Sequence, residues 1–121
     1  MDEKPHRRLV VWNKAMDFMV QVHTVTGRFP ASEKFGIVSQ MRRAALSIPS
    51  NIAEGAARKG RRDYVRFLYT ARGSLSELDT QVEAATRLQY LTPKAAGDLQ
   101  LRLDELSRML NGLIGALSRD A

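Results

Sequence analysis

The side chains with the most chemical potential in this 121-residue sequence are arginines, and they are unevenly spread. Between Arg42 and Arg72 stand Arg42, Arg43, Arg58, Lys59, Arg61, Arg62, Arg66 and Arg72, opposed only by Glu54 and Asp63. That window nets +6, which is the formal charge of the whole chain, so the remainder is balanced. A guanidinium offers a phosphate two parallel hydrogen bonds from one planar fork. Positive charge concentrated in this way is the electrostatic footprint of a polyanion binder. Arg58, Lys59, Arg61, Arg62 and Arg66 are therefore the candidate phosphate contacts. Tyr69, an aromatic among arginines, is a candidate platform for an unpaired base. Two other readings compete: an acidic protein partner, or a solvated helix face with Tyr69 packed at an interface.

Other chemistries find little support. Cysteine is absent, which removes disulfides, thiolate metal sites and thiol nucleophiles, and fits a reducing compartment. The two histidines, His6 and His23, have no partner at metal-site spacing, and HExxH, CxxC, EF-hand and Glu-x-x-His patterns are all missing. Gly55 and Gly60 are too isolated to form a phosphate loop. Glu77, Asp79, Glu83, Asp104 and Glu105 read as surface charges, with Glu83 and Arg87 spaced i, i+4 for an ion pair. No enzyme activity, metal, cofactor or small-molecule substrate is expected. The N-terminus lacks the apolar region of a signal peptide, and no apolar run approaches the roughly 20 residues that span a bilayer. These features imply a cytoplasmic protein without membrane contact.

The elements that must position the arginines are helical, because apolar residues recur three and four apart. One domain over 1–121 is expected, with 1–8 as a flexible tail. Helix 1 runs from about Val10 to Val25, with Trp12, Ala15, Met16, Met19 and His23 on one stripe and Val11, Phe18, Val22 and Val25 on the next. Helix 2 starts near Ala31-Ser32, with Ser32 as N-cap, and carries Val38, Met41, Ala45, Ile48 and Ile52. Pro49 lies inside it and predicts a kink. Helix 3 begins near Arg61, and Tyr64, Leu68, Ala71, Leu75, Leu78, Val82 and Ala85 alternate four and three apart. Arg62, Arg66 and Tyr69 then fall on the opposite, outward pole. Gly73 shares that pole, where a close approach from another helix would explain a costly glycine. Helix 4 starts with Thr92 as N-cap and Pro93 at the first helical position, and repeats Leu99, Leu103, Leu106, Leu110, Leu113 and Leu117. Four such helices predict an all-α, up-down-up-down four-helix bundle with a kinked second helix. Small residues on helix 2 (Ala44, Ser47, Ser50, Ala53, Gly55) predict a subunit interface.

Four stretches carry a resemblance. Ser39-Gln40-Met41-Arg42-Arg43-Ala44-Ala45-Leu46-Ser47-Ile48-Pro49-Ser50-Asn51-Ile52-Ala53-Glu54-Gly55 closely resembles the signature of bundle proteins encoded in intervening sequences of bacterial 23S rRNA genes. Phe67-Leu68-Tyr69-Thr70-Ala71-Arg72-Gly73-Ser74-Leu75-Ser76-Glu77-Leu78 supports it, as do Val11 to Met16 and Tyr90-Leu91-Thr92. The resemblance implies a ring-like homopentamer. It also implies similarity to the accessory variability determinant protein of diversity-generating retroelements, a pentameric relative that partners a reverse transcriptase and nucleic acid. No catalytic residue carries over. The matched Arg43, Asn51, Glu54, Ser74 and Glu77 are read as a structural polar network joining helices 2 and 3 or adjacent subunits. The expected function is an oligomeric, non-enzymatic bundle presenting a basic surface to structured RNA or other nucleic acid. The alternatives are an adaptor, for example to a reverse transcriptase, or a purely structural bundle.

Overall fold

The computed structural model describes residues 4–119. Four α-helices carry the fold: α1 (Val10–Thr26), α2 (Ile37–Ala56), α3 (Arg61–Arg87) and α4 (Pro93–Arg119). Two 3₁₀ turns, Pro5–Arg8 and Ala31–Glu33, precede α1 and α2, and no strand occurs among the described residues. Each helix packs on two others: α1 on α2 and α4, and α3 on α2 and α4. The arrangement is a four-helix bundle around one core.

The apolar spacing explains which faces turn inward. Leu68, Ala71, Leu75, Leu78, Val82 and Ala85 of α3 are all buried, with Tyr64 half-buried at the start of the stripe. On α1 the core takes Val11, Ala15, Phe18, Val22 and Thr26, while the Trp12–Met16–Met19 stripe is only partly covered and His23 is exposed. On α4 the buried set is Leu99, Leu103, Leu106, Leu110 and Ile114. Leu113 and Leu117, expected inside, are half-buried. A straight helix drifts by about 20° per heptad against a strict seven-residue repeat, and by the last turns Ile114 has rotated into the core position.

α2 starts later than its sequence suggests. Ser32 makes no capping bond, and Ala31–Glu33 forms only a 3₁₀ turn. Glu33 is engaged elsewhere, accepting a 2.7 Å hydrogen bond from the Tyr90 hydroxyl on the α3–α4 connection. Phe29 packs on the same tyrosine, with ring centroids 5.4 Å apart. Gly36 then breaks the path at φ −104°, ψ −119°, and α2 begins at Ile37. The helix continues through Pro49 to Ala56, and the proline ring is fully buried, so packing offsets the missing backbone donor. At the other end of the connection, Thr92 Oγ1 accepts the backbone N–H of Ala95 at 3.1 Å, the expected cap of α4. α3 ends with Gln89 at φ 65°, while Tyr90 N–H reaches the Ala85 carbonyl and Gln89 N–H the Thr86 carbonyl. That is a Schellman closure with glutamine in the left-handed position that glycine usually takes.

The N-terminal residues divide. Residues 1–3 of the expected tail lie outside the described residues, but Pro5–Arg8 forms a turn against α1 and α2. His6 meets Trp12 edge-on at 4.8 Å, and Asn13 Nδ2 donates to the Arg7 carbonyl at 3.1 Å.

α2 and α3 approach closely at Gly55. A Cβ there would lie 2.9 Å from Phe67 Cβ and 3.1 Å from the Tyr64 carbonyl oxygen. Neither is the free end of a flexible side chain, so α2 and α3 would have to separate. Gly55→Ala should lower stability by about 1–3 kcal/mol, the usual range for overpacking, read as a lower urea midpoint at unchanged slope. The Tyr90–Glu33 bond generates a second expectation. The bond to Glu33, desolvation and the carboxylate charge together hold the Tyr90 phenol above its usual pKa of 10.0. A raised folded-state value means the contribution is complete below pH 10 and is lost as pH rises through that value. Tyr90→Phe should melt below the parent near pH 8, and the gap should narrow in melts taken at about pH 11.

Candidate functional site

The basic residues gather where α2 hands over to α3. Ala57 closes α2, Arg58 and Lys59 occupy the turn, and Gly60 precedes α3. Arg61 and Arg62 form its first turn, and Arg66 and Tyr69 follow on its exposed face. The outward placement expected from helical spacing is therefore the one observed. Gly55 makes the handover possible, because it lets the last turn of α2 lie directly on Tyr64 and Phe67.

Phe67 then organises the arginines. The Arg58 guanidinium lies 4.7 Å from its ring centroid and that of Arg66 lies 5.5 Å away. Stacking of this kind holds a guanidinium through its flat face while its edge N–H groups stay available. Arg58 also approaches Glu54 at 3.8 Å and Arg66 approaches Asp63 at 3.4 Å, both exposed pairs worth little in water. Lys59 and Arg62 make no hydrogen bond or ion pair among the described residues. Arg72 takes a different position: its Nη1 donates to Asn111 Oδ1 at 3.1 Å, and its guanidinium lies 4.5 Å over the Tyr69 ring. Tyr69 is thereby tied through Arg72 to α4, although the ring itself is 46% exposed.

Two hollows open beside these groups. One, of about 460 Å³, is lined by Arg62, Asp63, Val65, Arg66 and Tyr69. The second, of the same size, is lined by Arg61, Arg62, Val65, Leu117 and Ser118 and reaches the end of α4. They share Arg62 and Val65.

Not every residue of the basic window belongs here. Arg42 is half-buried against α1, its Nε donating to Thr26 Oγ1 at 3.0 Å and its Nη2 to the His23 carbonyl at 3.1 Å. It satisfies the His23 carbonyl and the Thr26 hydroxyl at the end of α1 and favours the dipole there, which is a structural role. Conversely, sequence reasoning left out Arg7 and Arg8. Their 3₁₀ turn places His6 in a groove with Pro49, Ser50 and Ala53, near the end of α2, and Arg7 lies 5.6 Å over Trp12. The signal for this was the aromatic at Trp12 close behind a basic pair.

The polar residues matched by resemblance separate into two groups. Ser74 Oγ donates to Ser47 Oγ at 2.9 Å, and Asn51 Nδ2 donates to the same oxygen at 3.0 Å and to the Ser47 carbonyl at 2.8 Å. These three link α2 to α3. Ser47, which is not among the polar residues matched by resemblance, is its centre. Glu54 pairs only with Arg58, while Arg43 and Glu77 are exposed and make no hydrogen bond or ion pair among the described residues. Gly73 is also exposed, and a Cβ there would meet nothing within 4 Å. No helix of the same chain therefore accounts for that glycine. Among the described residues, no group of His, Cys, Asp or Glu is placed to hold a metal ion, and no helix is long and apolar enough to cross a membrane.

Comparison with known proteins agrees with this architecture. The chain is similar to a crystal structure of a protein of unknown function from the S23 ribosomal protein family of Bacteroides thetaiotaomicron. The two share 24% identity and a TM-score of 0.82, over 88% of this chain and 96% of that one. That likeness shows the fold. No curated protein matches the chain. The model of the 23S rRNA-intervening sequence proteins matches residues 7–112, from the docked N-terminal turn to the last turns of α4, and the chain belongs to that family.

Proposed function

We propose that this protein is a cytoplasmic, non-enzymatic bundle of up-down-up-down topology that binds nucleic acid, structured RNA above all, through the arginines of the α2–α3 handover. The observation that carries the reading is the pair of guanidiniums, Arg58 and Arg66, stacked on Phe67 beside Lys59 and Arg62, which have no partner among the described residues. Six net charges on one chain make a modest site. A homopentamer would repeat them around a ring, and release of condensed counterions would then make binding strong and salt-sensitive. Exposed Gly73 supports such assembly, because a Cβ there would meet nothing of the same chain within 4 Å, which leaves room for another backbone. Glu83, Glu105 and Asp98 are engaged with Arg87, Lys14 and Lys94 in surface ion pairs, and Asp104, which shares a small hollow with Asp79 and Arg72, accepts a hydrogen bond from Gln100 at 3.1 Å.

Fluorescence anisotropy of labelled RNA tests the reading. Affinity should fall steeply between about 50 and 200 mM salt, and joint replacement Arg62→Glu with Arg66→Glu should weaken binding by about tenfold or more. Normal binding by that variant would remove the proposal and move the arginines to an acidic protein partner, a reverse transcriptase being the candidate. Assembly has its own sign test at Gly73. In an isolated chain, Gly73→Ala would stabilise the helix by about 1 kcal/mol. The expected result is the opposite, a loss of pentamer mass in light scattering, because the added methyl meets the neighbouring subunit.

A further inference from the structure

We infer that the two hollows along α3 form one trough for unpaired nucleotides, so that the site prefers single-stranded or looped segments to continuous duplex. The inference rests on the nucleic-acid reading above and adds the class of ligand.

A surface that only neutralises a duplex needs no more than cations, because a duplex presents phosphates and stacks its bases inside. This surface offers more. Between its arginines the hollows have an apolar and aromatic lining, Tyr69 and Val65 in the first and Val65 and Leu117 in the second, completed by Asp63, which lies 3.4 Å from Arg66, and by Ser118. Arg62 borders both, with Arg66 on one and Arg61 on the other. Positive walls over an apolar lining fit a strand whose phosphates face the guanidiniums while its bases turn inward and leave water. Val65 and Tyr69 are one helical turn apart, about 6 Å along the axis, which is the scale of one or two nucleotides.

Tyr69 is also held ready. Arg72 covers one face of the ring at 4.5 Å and is itself fixed by Asn111 on α4, at 3.1 Å. The ring still lines the hollow and is 46% exposed. A base stacked there would extend an existing pile of guanidinium on phenol, with little side-chain freedom left to lose.

The test uses the full chain and three fluorescein-labelled RNAs with equal numbers of phosphates: an oligouridine, a hairpin with a wide loop and a blunt duplex. A DNA oligothymidine distinguishes ribose from deoxyribose strands. The oligouridine and the hairpin should bind about tenfold tighter than the duplex. Tyr69→Leu should weaken binding of these two by roughly 5- to 100-fold, the usual range for one stacked base, and leave the duplex unchanged. Tyr69→Trp should restore it. Tyr69 is exposed, so an unchanged melting curve for Tyr69→Leu confirms that folding is not the cause. Equal binding of strand and duplex, with no effect of Tyr69→Leu but loss on Arg62→Glu, would overturn the trough while the phosphate reading stands. No binding of any of the four would overturn both.

Discussion

The close approach of α2 to α3 at Gly55 is the contact on which the rest of the basic end depends. It brings the backbone of one helix against Tyr64 and the β-carbon of Phe67, and only a residue without a side chain fits. From that contact follow the short turn and the position of Arg58 above Phe67, a ring that Arg66, its neighbour on α3, also approaches. A bundle with these helices one methyl further apart would keep its core but move Arg58 off the ring it shares with Arg66. The basic surface is thus a by-product of helix packing.

Farther along the same seam, polar groups replace the glycine. Ser47, Asn51 and Ser74 satisfy one another between α2 and α3, and the core closes beneath them through Ile48, Leu75 and Leu78. The Ser74–Ser47 bond of this triad crosses between the helices and favours one register, since a shift would break it and leave Ser74 with the Thr70 carbonyl of its own helix. Arg42 does the same between α1 and α2, and Lys14 with Glu105, 3.2 Å apart, between α1 and α4.

Much of the fold could be read from the chain. The four-three alternation from Tyr64 to Ala85 identified the inner face of α3 and, by subtraction, the outward position of Arg62, Arg66 and Tyr69. Thr92-Pro93 marked the start of α4 because capping is local chemistry. The failures have two causes, tertiary contact overriding a local preference and a helix period that departs from the heptad. Ser32 has the right residue type for a cap, but its turn is drawn aside by Glu33 reaching Tyr90, fifty-seven residues away. Leu113 and Leu117 obey a heptad that the helix itself does not keep. Counting charges placed Arg42 with the other arginines, although its guanidinium lies against α1. The site was legible as a list of cations. What could not be read was Phe67 beneath two of them and the hold of Arg72 on Tyr69, since both require knowing which side chains meet.

The N-terminal turn has a consequence of another kind. Trp12 is the sole tryptophan of the chain, and its indole is half-covered, with His6 at its edge and Arg7 over its ring. Lifting residues 5–8 off the bundle would change the polarity around that one chromophore, and no second indole would mask the signal. The protein therefore carries an intrinsic optical reporter of whether its first turn is seated, at a position separate from the Tyr69 trough.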